Sequence, residues 1–390
     1  DVTNFRISPD SSRVVYRADD ADNRFELSSV PRDVSSNATF LLPSPPVSNG
    51  DIFEFAITPD GSRVVYRGDF IVDERFELRS SPIDRSTNTV LLNGALAPGG
   101  DVARFAVTAN GQRVLYSADQ DLDGVSELYS VLATGGTATR VNSSLVNGGD
   151  VEDFVLSPNG QRAVFRADTA TDEVFNLVSV PSAGPAASGV TLTDTESISG
   201  DTGAFALSPD GAYAVFVADE ETDEQFELYS AALGGGLTTR ISADLGPDGD
   251  VSAFRISPTS QRVVYLADQD TDEVFELYSV AIGGGPATKL NPPLVAGGTI
   301  NEFHVSPDGS RVVYAASQAD PAVVDLYSVP STGGAAVRLS SLVPGRELSG
   351  QGFAISPNGQ RVVYLADQTS DDDVELYSIA IGGGSPATLN

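Results

Sequence analysis

The sequence predicts an all-β protein, an eight-bladed β-propeller whose blades are four-stranded antiparallel sheets of roughly 50 residues each. Three observations carry that expectation. The chain repeats itself along its whole length, each repeat holds four short apolar segments separated by turn residues, and nothing longer shows a helical period.

A phenylalanine ahead of a turn recurs at Phe5, Phe55, Phe105, Phe154, Phe205, Phe254, Phe303 and Phe353, at intervals of 49–51 residues. Units of approximately 1–50, 51–100, 101–149, 150–200, 201–249, 250–298, 299–348 and 349–390 therefore fill the 390 residues as a single propeller domain. In the sixth unit, "VSAFRIS" alternates and stops at a Pro turn, and "RVVYLA" is β-branched and aromatic. "FELYSVAI" alternates again and ends at a glycine run, and "ATKLN" is short and gives way to a Pro/Gly-rich connection. These are strands a, b, c and d of one blade.

"SPDG" between a and b is a tight turn. Pro presets φ, Asp or Asn bonds its own backbone, and Gly accepts a positive φ. The "RVVY" that follows puts Val and Tyr on opposite faces, so both faces must be buried, as in a sheet sandwiched between two others. An open solenoid would need distinct capping repeats, and the terminal units look like the internal ones. The chain begins at a first strand and finishes on a fourth, "PATLN", so blade eight is expected to come from one continuous stretch.

Composition narrows the function. There is no Cys, Met or Trp and only one His, which excludes disulfides, thiolate metal sites and cysteine nucleophiles. The formal charge of −31, from 54 acidic and 23 basic residues, disfavours nucleic-acid partners and anionic lipid surfaces. No apolar run is long enough for membrane insertion as a helix. The start at Asp1 without Met reads as a processed chain or an excised domain, and the oxidation-resistant composition suits an extracellular or periplasmic, secreted protein.

The pattern "SPDG-x-R-V-V-Y", then "E-L-Y-S-V", then "GG-x-x-x-(R/K)-L" resembles the TolB-type, WD-like propeller repeats of bacterial periplasmic and secreted proteins. Gly-His and Trp-Asp pairs of true WD repeats, the Tyr and Trp of kelch repeats and the sialidase Asp-box are absent. The resemblance implies a protein-interaction platform or the gating propeller of a serine peptidase. Eight units depart from TolB's six blades, so it transfers no partner.

Antiparallel alternation puts the a–b and c–d turns at one end of a blade, and the b–c loop with the d-to-a link at the other. The second end gathers acidic loops such as "ADQDTDE" and the Asp that heads most first strands. Arginine opens strand b near the first end at Arg13, Arg63, Arg113, Arg162, Arg262, Arg311 and Arg361, giving an expected acidic rim and a partly basic one.

In "DQDLDGVSE" Asp119, Asp121 and Asp123 alternate before Gly124 and Glu127, a D-x-D-x-D-G arrangement that suits Ca²⁺. Asp268, Asp270, Asp272 and Glu276 form a second candidate metal set, and Asp219, Asp223 and Glu227 a third, against the plainer expectation of solvated turn residues.

Enzymatic chemistry has little to stand on. His304 occupies a strand position held elsewhere by Ala, Arg or Val, and there is no G-x-S-x-G elbow and no P-loop. No carboxylate pair stands out from the near-symmetric loops as a glycosidase site. The sequence therefore favours a non-catalytic extracellular binding or scaffold propeller. Its acidic, Ca²⁺-binding loop face would meet a protein or glycan partner. The alternative is a self-assembling filament or surface-layer protein, copies of itself stacking head-to-tail by acidic rim on basic rim. An enzyme with an acidic active site ranks third.

Overall fold

The computed structural model describes residues 1–19, 24–41, 50–193, 200–222, 224–370 and 373–390, and leaves aside the side chains of 349–351 and 369–370. The strands make eight four-stranded sheets, each of four consecutive antiparallel strands paired in the order a-b-c-d. This is the fold class of an eight-bladed β-propeller. Helix is confined, among the described residues, to one 3₁₀ turn at Ala186–Ser188. No helix there is long and apolar enough to cross a membrane.

In blade 6 the strands run Val251–Ile256, Arg262–Ala267, Glu276–Ala281 and Thr288–Lys289, inside the four segments marked by the sequence. Blade 8 likewise uses its own four strands, the last at Ala387–Thr388.

The turn chemistry is as the residue types require. In blade 7 the Gly309 N–H donates to the Ser306 carbonyl at 2.8 Å, and Gly309 has φ of 70°. The Ser306 hydroxyl donates to Asp308 Oδ1 at 2.6 Å and accepts from the Arg311 N–H at 3.0 Å. That hydroxyl, helped by the Ser310 N–H and hydroxyl, holds the Asp308 carboxyl below its ordinary pKa. Asn159 takes the same bond from Ser157 at 2.8 Å in blade 4.

Two compact units divide the chain, Asp1–Thr191 with blades 1–4 and Leu192–Asn390 with blades 5–8. In the first unit, Val15, Leu27 and Leu41 of blade 1 pack on Ile52, Phe55, Val64 and Tyr66 of blade 2. Val65, Leu78 and Leu92 of blade 2 meet Val102, Phe105, Val114 and Tyr116 of blade 3. Leu115, Leu128 and Val141 of blade 3 meet Val151, Phe154 and Phe165 of blade 4. The second unit repeats the arrangement between blades 5 and 6, 6 and 7, and 7 and 8.

One face of every blade thus offers a Val or Leu from b, a Leu from c and a Leu, Val or Ile from d. The other offers the Phe of a and, from b, a Val or Ala and a Tyr or Phe. Period-two alternation supplies both. Each of these buried side chains contributes about 1.5–3 kcal/mol. Inside a blade the b and c aromatics stack, as in Tyr116 on Tyr129 at 5.4 Å and 18°.

Candidate functional site

The acidic end of every blade but the seventh is built around the Asp that closes strand b; in blade 7 Ser317 takes that place and accepts the Thr299 N–H at 2.9 Å. In blade 6 Asp268 Oδ1 accepts the Asp250 N–H at 2.6 Å, and its Oδ2 accepts the Glu273 N–H at 3.0 Å. Asp119 accepts from the Asp101 and Gly124 N–H groups in the same way, and Asp219 from Asp201 and Glu224. The residue five after this Asp turns left-handed. Gly124 has φ of 76°, and Glu273 holds 60°. Gly124, expected as the sharp turn of a calcium loop, serves this cap.

The Asp heading strand a links neighbouring blades. Asp101 Oδ1 accepts the Phe76 N–H of blade 2 at 2.6 Å, and Asp150 Oδ1 accepts the Ser126 N–H of blade 3 at 2.5 Å. Burial raises the Asp101 carboxyl above its ordinary pKa, the Phe76 N–H opposes that, and the Asp119 charge adds to it. In "GGD" the two glycines answer different needs. Gly99 has φ of 93°, and a Cβ on Gly100 would meet the Asp119 carbonyl oxygen at 2.3 Å.

The strand-c glutamates are buried and charge-paired. Glu127 Oε1 accepts from Arg140 Nη1 of strand d at 2.5 Å, and its Oε2 accepts the Tyr129 hydroxyl at 2.7 Å. Glu227 does the same with Arg240 and Tyr229, each at 2.6 Å, and Glu276 pairs with Lys289. Burial first, and Glu127 second, push the Tyr129 phenol well above its ordinary pKa.

In the two expected metal sets that lie wholly within the described residues, the members have separate partners or are exposed. Asp119 and Asp268 are committed to backbone N–H groups, Glu127 and Glu276 to strand-d cations, and Asp270 to Lys289 Nζ at 3.2 Å. Asp121, Asp123 and Asp272 are exposed, and Asp223 lies outside the described residues. Among the described residues no group of three or more His, Asp or Glu side chains is placed to hold a metal ion.

The arginines that open strand b fold back onto strand c, six of them half-buried and Arg361 exposed, so the expected basic charge at this end is partly tied up within the blades. Each guanidinium Nε donates to the Ser hydroxyl of the neighbouring strand c: Arg63 to Ser80 at 2.7 Å, Arg262 to Ser279 at 2.8 Å, Arg361 to Ser378 at 2.7 Å. Desolvation lowers the pKa of Arg63, Arg162, Arg262 and Arg311. The recurring spacing of Arg to Ser, and of Glu to a strand-d cation, was the available signal for these pairs.

Two openings remain as binding geometry. In the first unit a cleft of about 580 Å³ is lined by Asp101, Asp119, Asp150, Glu152 and Phe175, four carboxylates beside an aromatic ring. In the second unit a groove of about 380 Å³ runs along the first strands of blades 5–7 past Leu207, Phe254, Arg255 and His304. His304 Nε2 lies 2.7 Å from Glu302 Oε1, and its ring meets Phe353 edge-on at 5.2 Å. The imidazole is thus oriented by a carboxylate and a ring, with no serine in that contact.

Residues 176–344 match the family described as the lipoprotein LpqB β-propeller domain. Among solved structures, dipeptidyl peptidase 4 of Porphyromonas gingivalis is 12% identical with a TM-score of 0.58, over 99% of this chain and 59% of that one. A TolB-type protein of Agrobacterium tumefaciens is 20% identical with a TM-score of 0.35, over 65% of this chain and 84% of that one. Prolyl oligopeptidase B of Galerina marginata is 10% identical with a TM-score of 0.45, over 87% of this chain and 51% of that one. The chain spans less than two thirds of either peptidase, and at these identities the likeness is one of fold. Compared with the curated proteins, the chain matches none.

Proposed function

Starting from a chain built of TolB-like β-propeller repeats, we propose a non-catalytic binding module that presents its acidic loop end to a basic protein partner. The observation that carries this is the cleft between blades 3 and 4. Asp101, Asp119, Asp150 and Glu152 line it with Phe175. The three aspartates each accept a backbone N–H, and Arg166 pairs with Glu152 at 2.9 Å and lies over the Phe175 ring. A partner's Lys or Arg would join a carboxylate cluster that already holds one guanidinium in this way. A net charge of −31 would steer such a partner from a distance.

Calcium enters this reading only at the exposed outer acids, Asp121 and Asp123 above all, as a weak and largely hydrated site. A secreted or periplasmic setting is supported by the lipoprotein named in the family description. The peptidase activities belong to proteins with much additional chain, and they give no reason to expect turnover here.

The reading is tested by titrating the protein with a Lys/Arg-rich peptide and a charge-reversed control by calorimetry. The basic peptide should bind, more weakly as salt rises, and Ala103→Arg at the cleft wall should weaken it by about tenfold or more, equivalent to 1.4 kcal/mol. Equal binding of the acidic control, indifference to Ala103→Arg, or hydrolysis of ester, amide or glycoside substrates would each defeat it.

A further inference from the structure

Blade 4 lacks a ring that most blades carry. In blades 3, 5, 6, 7 and 8 the aromatic of strand b stacks on a tyrosine of strand c, with ring centroids 5.4–5.8 Å apart. A phenylalanine on strand b serves as well as a tyrosine, since Phe216 of blade 5 lies 5.8 Å from Tyr229 and 15° from parallel. The strand-b ring of blade 4 is Phe165, and the residue across from it is Val178. Val178 pairs with Phe165 on one side and Thr191 of strand d on the other, as Tyr129 of blade 3 pairs with Tyr116 and Arg140. Blades 1 and 2 hold Ser28 and Arg79 at that position, and Arg79 fills it with a long side chain whose guanidinium lies over Phe70 at 4.9 Å.

In blade 4 the corresponding space is open. A cavity of about 250 Å³ lies against Phe165 and Val178, with Val141 of blade 3 as a third apolar wall. The c–d connection runs across it: a Cβ built on Gly189 lies 3.7 Å from Val178 Cγ1, and one on Gly184 lies 3.5 Å from Val141 Cγ1. That connection holds the 3₁₀ turn Ala186–Ser188, and what it adds to the lining, Ala186, Ala187 and Gly189, is too small to fill the space. Ser143, Thr169 and Thr191 bring hydroxyls, and among the described residues no charged side chain lines the cavity. It lies within the first unit and shares no lining residue with the acidic cleft.

We propose that this cavity is a binding site for a small neutral phenol, which takes the place that a tyrosine side chain fills in five other blades and lies flat on Phe165. The occupant is argued from the chain's own template. The space exceeds the roughly 150 Å³ that suffices for benzene in an apolar protein cavity. Stacking on Phe165 repeats the geometry of Phe216 with Tyr229, and the three hydroxyls offer partners for a phenolic O–H. A charged ring would give up its hydration with no counter-ion in the lining, and the net charge of −31 repels aromatic anions. The site is independent of the contact with a basic partner.

The probe is p-cresol, the tyrosine side chain as a free molecule. Calorimetric titration of the unsubstituted full-length chain should give one site with a Kd on the order of 0.1–1 mM. The saturated analogue 4-methylcyclohexanol, without a flat face, should bind several-fold more weakly. In methyl-labelled protein, p-cresol should shift the resonances of Val141, Val178 and Ala186 by its ring current and leave Val263 of blade 6 in place. Val178→Tyr supplies the chain's own ring, so it should weaken binding by about tenfold or more with the melting temperature kept or raised, while Val178→Ala should keep binding. The methyl shifts are read on the unsubstituted chain and decide the matter whether or not Val178→Tyr folds. The proposal is overturned if millimolar p-cresol leaves the Val141 and Val178 methyls unmoved. It is equally overturned if 4-methylcyclohexanol binds as tightly, or if folded Val178→Tyr binds p-cresol as the unsubstituted chain does.

Discussion

Tyr213 stands where seven other blades carry arginine, and the Ser230 hydroxyl on the neighbouring strand is buried without a hydrogen-bond partner. The comparison isolates what the Arg–Ser pair does. In blade 6 the Ser279 hydroxyl accepts from Arg262 Nε at 2.8 Å. Removing it leaves a half-buried cation short of an acceptor, whereas removing the orphan at Ser230 relieves a desolvated group. Ser279→Ala should therefore lower stability by about 1–2 kcal/mol, while Ser230→Ala should leave it unchanged or raise it by up to ~1 kcal/mol. Urea unfolding curves with a shared slope check both, and equal losses at the two positions would show that the guanidinium contributes nothing. The sequence displayed both partners in seven units without displaying the bond. The arginine read as surface charge because its position beside a turn says nothing about which way a long side chain folds back.

At the scale of strands c and d, the pairing of Glu276 with Lys289 shows why the "E-L-Y-S" and "(R/K)-L" segments recur together. Strand d is two residues long, and the Tyr278–Lys289 register sets its cation across from the buried glutamate. Blade 4 abandons the arrangement as a set, with Asn176, Val178 and Thr191 in place of Glu, Tyr and the cation. Lys289→Thr alone strands a buried carboxylate and should cost about 3 kcal/mol or somewhat less, since the ammonium is partly exposed. Adding Glu276→Asn and Tyr278→Val, which reproduces blade 4, should recover most of that loss. Thermal melts of the single and triple variants decide it, and a triple variant less stable than the single one would show the charges matter less than the tyrosine's packing. Strand positions, turns and the two-faced burial of "RVVY" were legible because periodicity and turn residues act locally. Spacing within one loop did not show what the candidate metal residues bind inside the protein, because a carboxylate's partner can lie 13 to 18 residues away or in the next blade. Co-occurrence across the internal copies was the better signal: in blades 3, 5, 6 and 7 a strand-c acid faces a strand-d Arg or Lys, while blades 1, 2 and 8 keep the Glu without that cation.

Over the whole molecule, the acids divide into those that hold blades together and those that only repel. Asp268, Glu276 and their equivalents are held by N–H groups, Arg or Lys. The outer acids, including Asp121, Asp123 and Asp272, have water and one another, and with 54 acidic against 23 basic residues they leave the compact chain under strong self-repulsion. Screening should relieve this without any specific ion. Raising NaCl from about 10 mM to a few hundred millimolar shortens the Debye length from roughly 30 Å to below 8 Å. The melting temperature should then climb by several degrees, at roughly 2–4 °C per kcal/mol for a chain of this order of size. Millimolar Ca²⁺ should add little beyond NaCl of the same ionic strength, and chelator in high salt should leave the curve where it is, because the inner carboxylates are already occupied by the protein. Scanning calorimetry at matched ionic strength separates the two cases. A calcium-specific rise of more than a few degrees would mean that an ion displaces Lys289 or Arg140 from its glutamate and rebuilds the loops, since mass action on a site in the outer acids alone is too weak to produce it.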